Sequence, residues 1–230
     1  MKLELKEKPK KPIIIQAFPG SGMVGTIVAE FLIEHLKAKH IGRIYSEDIP
    51  PIIAVHKGKI IEPFSIFYDK TKNIVIVSAL GIMPGIEWRL THAVLKLQSL
   101  LKAKEIISIE GVESTSVSEP KTYYMTKDVK KAKKLESIGL KELNEGVILG
   151  VAASLMLHTP DATYIFSETH SELPDSRAAS KIIGALDKYL GLKVDYKPLI
   201  QKADAFEKKL KEFLSVASQQ TKEKKDTYLG

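Results

Sequence analysis

Cysteine is absent from the 230 residues, which removes thiolate nucleophiles, disulfides and cysteine-ligated metals from consideration. Arginine is scarce: of 35 basic residues, only Arg43, Arg89 and Arg177 carry a guanidinium. Forked recognition of phosphates and base edges favours arginine, and no basic stripe here is interleaved with aromatics. The net charge of +7 is therefore not read as a nucleic-acid footprint. No apolar run approaches the roughly 20 residues that span a bilayer. The start, 1-MKLELKEKPKK-11, is charged and has no apolar signal-peptide core behind it. A soluble, cytoplasmic protein without a membrane partner is the expectation. Lysine and glutamate are abundant while asparagine and glutamine are few, a balance that fits hyperthermophile proteins.

What is present is enough apolar sequence, 44%, to bury a core as one large or two small domains. Residues 12–18 form a short apolar run closed by Pro19-Gly20 and predict a buried strand. Val24, Ile27, Val28, Phe31, Leu32 and Leu36 then recur at helical spacing. A second strand is expected over 40–45. After it, 51-PIIAVHKGKIIEPFSIFYD-69 reads as a hairpin turning at Lys57-Gly58. A strong strand (73–80), a helix (86–102) and another strand (105–110) follow. The middle predicts a short strand (122–126), a lysine-rich helix (127–137) and a helix in 146-GVILGVAASLM-156, whose small residues are those of a buried core helix. A strand (162–166) and a helix from Asp175 to Leu190, stopped by Gly191, complete the pattern. Alternation of this kind predicts a layered α/β fold with a mainly parallel sheet and a hairpin insert.

The stretch 20-GSGMVG-25 matches the dinucleotide-binding fingerprint G-x-G-x-x-G between a strand and a helix. Two readings are open. Gly20, Ser21, Gly22 and Gly25 hold a phosphate at the helix N-terminus, or the glycines only permit tight packing of a β-α turn. Pro19 restricts the approach to the turn. The acid that would hold a ribose, Glu47, lies in a turn rather than at a strand end. Among other candidates, Glu168, His170 and Glu172 would share a face if extended, but they match no standard metal spacing, and a solvated loop is the simpler expectation. Glu87 suits a helix start as a cap or a base. Glu110 and Glu113 flank Gly111 at a strand end, where α/β folds place ligands. The serines of 114-STSVS-118 lack a nucleophile elbow. No catalytic residues, cofactor or metal are assigned.

Toward the end, Leu199, Ala203, Phe206, Leu210, Phe213 and Ala217 step by four and three, a heptad seam on a charged helix. That seam either lies on its own domain or forms a subunit interface, with Ala203, Phe206, Leu210 and Phe213 as the candidate contact residues. The expected organisation is an α/β core over 1–195, an amphipathic helix over 196–218 and a polar tail over 219–230.

Three stretches together, 17-AFPGSGMVGTIVAEFLIEHL-36, 45-YSEDIPPIIAVHKGK-59 and 168-ETHSELPDSRAAS-180, resemble the proteasome assembly chaperone family, in particular its archaeal homologues. The resemblance implies a nucleoside-phosphorylase-like α/β fold and a homo-oligomer, a tetramer or a pentamer. It also implies ATP-independent chaperone action without catalysis, by binding 20S proteasome α subunits through the C-terminal tail. The glycine segment is then a structural turn. Within the tail, Lys222, Lys224 and Lys225 would lie along an acidic groove. Thr227, Tyr228, Leu229 and Gly230 would dock, with Tyr228 as an amphipathic anchor. Proteasome activators end hydrophobic–tyrosine–any, whereas Tyr228 here is third from the end. Extended, the ten residues from Thr221 reach up to ~33 Å.

Overall fold

The computed structural model describes residues 1–196, apart from 48, 50, 57, 83, 115–118 and 170–172. The C-terminal seam helix and the tail, with every partner-binding and oligomer-interface residue named above, lie outside the described residues, as do His170 and Glu172.

The strands are β1 (Lys2–Leu5), β2 (Ile13–Ala17), β3 (Lys39–Tyr45), β4 (Ala54–His56), β5 (Lys59–Ile61), β6 (Phe64–Asp69), β7 (Ile74–Ala79), β8 (Glu105–Glu113), β9 (Thr122–Met125), β10 (Lys141–Glu142) and β11 (Thr163–Thr169). The helices are α1 (Val24–His35), α2 (Glu87–Leu101), α3 (Val129–Ser137), α4 (Gly150–His158) and α5 (Ser176–Leu190). Among the described residues nine strands form one sheet in the order β1-β3-β6-β7-β2-β8-β11-β9-β10. β4 and β5 pair antiparallel with each other, outside that sheet.

The expected mainly parallel sheet is parallel only at its centre and at one edge. β7, β2, β8 and β11 run parallel as neighbours, and β10 runs parallel to β9. The pairs β1–β3, β3–β6, β6–β7 and β9–β11 are antiparallel. For the β6–β7 pair the reason is connection length. Four residues join β6 to β7, which permits a hairpin, whereas a parallel neighbour requires a crossover of a dozen or more. The 15-residue α2 supplies such a crossover between β7 and β8.

The central strands are buried on both faces because their side chains alternate between two cores. Ile15, Ile76, Ile107 and Ile165 face α1 and α5. Ile14, Val77, Ile106 and Phe166 face α2 and α4. α5 begins where Asp175 accepts a hydrogen bond from the Ala178 amide (2.9 Å) and ends at left-handed Gly191, a standard start and stop. β1 is an edge strand of alternating half-buried Leu3 and Leu5 with exposed Lys2 and Glu4. The helix expected within 146–156 begins only at Gly150 and extends to His158. It is not a buried core helix. Val151 and Leu155 pack inward, while Leu149 and Leu157 are 73% and 74% exposed. No helix among the described residues is long and apolar enough to cross a membrane.

Candidate functional site

The chain leaves β2 through Phe18 and Pro19 and enters a single tight turn, Ser21–Met23, before α1. Gly22 (φ 62°) and Met23 (φ 50°) are both left-handed, a conformation that glycine adopts freely and methionine does not. The space beside the glycines is occupied by protein. A Cβ at Gly20 would fall within the carboxyl group of Glu110, one at Gly22 within the Thr169 side chain, and one at Gly25 against the Phe18 carbonyl. Gly111 has the same relation to the carbonyl of Ser21.

The turn is also tied to the start of α5. The Asp175 amide donates to the Gly22 carbonyl (2.8 Å), and the Thr169 hydroxyl donates to the Asp175 carboxylate (3.1 Å). Two of the stretches that carry the family resemblance, 17–36 and 168–180, therefore meet. The third, 45–59, runs into the β4–β5 hairpin, where Ile52, Ile53 and Val55 are exposed.

This geometry opposes the dinucleotide reading of Gly20, Ser21, Gly22 and Gly25. A pyrophosphate must approach the glycine backbone closely, yet here the Glu110 carboxyl group fills the space beside Gly20. Glu47 fails on topology. It follows β3, which is separated from β2 by β6 and β7, and it pairs with Lys2 (3.6 Å).

The turn forms one wall of an open cleft of about 1010 Å³ at the C-terminal ends of β2, β8 and β11. Its other walls come from the start of α2, the connection between β10 and α4, and the start of α4. Among the described residues six glutamates line it, Glu87, Glu110, Glu113, Glu142, Glu145 and Glu168, and no lysine, arginine or histidine does. Glu110 is 8% exposed, and the hydrogen bond to its carboxylate comes from the amide of its own neighbour Gly111 (3.3 Å). Burial pushes its carboxyl up to about 8, because a charged group loses hydration there without gaining a cation.

Glu168 behaves differently. It is not in a solvated loop but near the end of β11, buried, accepting from the Lys121 amide (3.1 Å) and the Tyr123 hydroxyl (2.9 Å). Glu113 accepts from the Ser21 hydroxyl (3.5 Å). Glu87 accepts from the Gly85 amide (2.8 Å) and so fixes the turn before α2. No group of three acidic or histidine side chains among the described residues is placed to hold a metal ion. Sequence reasoning missed Glu142, the last residue of β10, and Glu145 in the connection after it, which only the tertiary fold brings to the cleft.

The molecule thus combines a mixed α/β sheet covered by helices on both faces, a protein-filled glycine turn and an open acidic cleft at the C-terminal strand ends. The chain belongs to the PAC2 family, whose model matches residues 14–214. It is 28% identical over 207 residues to protein MJ0106 of Methanocaldococcus jannaschii, covering 88% of this chain and 85% of that one. Its fold is similar to that of Pyrococcus furiosus PbaA, an archaeal homologue of proteasome-assembly chaperone, with a TM-score of 0.86 and 26% identity over 95% of this chain and 99% of that one. Pyrococcus furiosus PbaB, an archaeal proteasome activator, shares the fold at a TM-score of 0.76 and 23% identity, over 92% and 97% of the two chains.

Proposed function

We propose that this protein is a cytoplasmic, ATP-independent proteasome assembly chaperone that binds 20S proteasome α subunits through its C-terminal tail and has no catalytic activity. The observation that supports this reading best is the likeness to PbaA, at 26% identity and a TM-score of 0.86 over nearly the whole of both chains. The filled glycine turn agrees with it, since a chaperone of this kind needs no nucleotide. In this reading the α/β core over 1–195 is a nucleoside-phosphorylase-like scaffold carrying a hairpin insert. The helix over 196–218 assembles four or five copies through Ala203, Phe206, Leu210 and Phe213. The tail over 219–230 then presents Lys222, Lys224 and Lys225 to an acidic groove, with Thr227, Tyr228, Leu229 and Gly230 at the docking end.

The test is native mass spectrometry of the protein mixed with proteasome α subunits, beside a variant ending at Gln220. A complex that disappears on truncation supports tail-mediated binding. One that survives truncation moves the contact to the α/β core. If the full chain forms no complex, the chaperone reading is wrong.

A further inference from the structure

The cleft at the C-terminal ends of β2, β8 and β11 carries a charge opposite to that of the whole protein. Lysine and arginine make up 35 of 230 residues, yet among the described residues none lines this cleft, where six glutamates do. Two further observations describe what would fit. Glu110 is nine-tenths buried against Gly20, lines the cleft, and has no side-chain partner among the described residues. A buried carboxylate of this kind is costly until a cation and its hydrogen bonds arrive. In addition, the carboxylates are spread along the walls, with no three close enough to share a metal ion. Dispersed charges match a row of separated cations rather than a single point charge. Ile82, Leu143, Val147 and Leu149 lie along the same walls and offer apolar surface to a methylene chain.

We propose that this cleft binds a linear aliphatic amine carrying two or more ammonium groups, with Glu110 receiving one of them at the buried end beside Gly20. Two sources share that chemistry: a free polyamine, or the lysine side chains of a polypeptide segment. Glu113, at the rim, receives a second ammonium. Ammonium binding stabilises the ionised form of Glu110, so binding at neutral pH is accompanied by release of its proton.

Calorimetric titration of the full-length protein with spermidine, and separately with a synthetic peptide of residues 219–230, tests the proposal. Saturable spermidine binding that weakens about tenfold or more in Glu110→Gln, and is unaltered in Glu119→Gln outside the cleft, supports the free-polyamine source. The same pattern with the peptide alone supports the lysine source. Heats compared in buffers of different ionisation enthalpy should show proton release in the unsubstituted protein and none in Glu110→Gln. Because glutamine is isosteric and uncharged, Glu110→Gln retains the packing, and Glu113→Gln gives a second reading from an exposed position. Binding indifferent to both substitutions, or no binding of either amine at physiological salt, overturns the proposal.

Discussion

The carboxyl group of Glu110 occupies the space that a side chain at Gly20 would need. Gly20 itself has an extended backbone (φ −157°) that any residue adopts. Its requirement for glycine is therefore one of space, imposed across the sheet by β8. The glycine that looks most like part of a phosphate cradle is small because a carboxylate lies against it.

Gly20→Ala should destabilise the protein by about 1 kcal/mol, the low end of the cost of overpacking, because the obstructing carboxyl ends a flexible side chain that can swing toward the cleft. In a Glu110→Ala background the same substitution should cost close to nothing, since the obstructing group is gone. Urea unfolding of the four proteins of this cycle measures the coupling. Equal costs in the two backgrounds would show that Glu110 does not impose the glycine.

Burial without a cation raises the Glu110 carboxyl from 4.5 to about 8. A folded state that holds this proton more tightly than the unfolded chain loses stability as pH rises between those two values, by up to about 1.4 kcal/mol per pH unit. Below about 4.5 both states are protonated, and the full stabilisation of the neutral form is present. Above about 8 it has been lost. Glu110→Gln should remove this component, leaving a flatter stability profile and a higher melting temperature on the alkaline side. Thermal unfolding from pH 5 to pH 9, in the absence of added amines, checks both features.

Asp175 does two things at once: it caps α5 through the Ala178 amide and holds the Thr169 hydroxyl beside Gly22. Asp175→Ala should cost about 1–2 kcal/mol, at the upper end for a helix cap because the second contact is lost as well. Asp175→Asn should recover most of that loss, since its amide oxygen can still accept from the helix. Denaturant midpoints of the two variants distinguish a cap from a charge effect.

Much of this architecture was legible in the sequence. The uninterrupted apolar run at 74–77 marked a strand buried on both faces, and Pro174-Asp175 with Gly191 bracketed α5 to within a residue. The failures have physical causes. The extra length of β8, Gly111–Glu113, was hidden by a glycine that reads as a strand end but is there because the Ser21 carbonyl lies against it. β1 alternates Lys2-Leu3-Glu4-Leu5 with the period of a strand, but four residues are too short a run to stand out, and its pairing with β3 lies about 40 residues along the chain. The pattern G-x-G-x-x-G identified a tight turn but could not reveal what fills it, because Glu110 and Thr169 arrive from strands about 90 and 150 residues away. The acidic cleft was half visible, in Glu110 and Glu113 around Gly111. Its opposite wall was not, because periodicity carries no information about where a segment such as 142–149 comes to rest.

The heptad seam from Leu199 to Ala217 makes the proposed assembly testable without the proteasome. Replacing Phe206 and Leu210 together by glutamate removes two apolar side chains, each contributing about 1.5–3 kcal/mol when fully buried, and puts unpaired carboxylates in their place. If the seam joins subunits, the mass measured by light scattering should fall from that of a tetramer or pentamer toward a monomer, while the circular dichroism of the α/β core stays unchanged. The tail remains intact in this variant, so binding to α subunits should weaken only through lost multivalency, by about 100-fold or more where several tails engage one ring. An unchanged mass would place the seam against its own domain instead. A lower mass with undiminished binding to α subunits would show that a single tail suffices, and that assembly serves some purpose other than avidity.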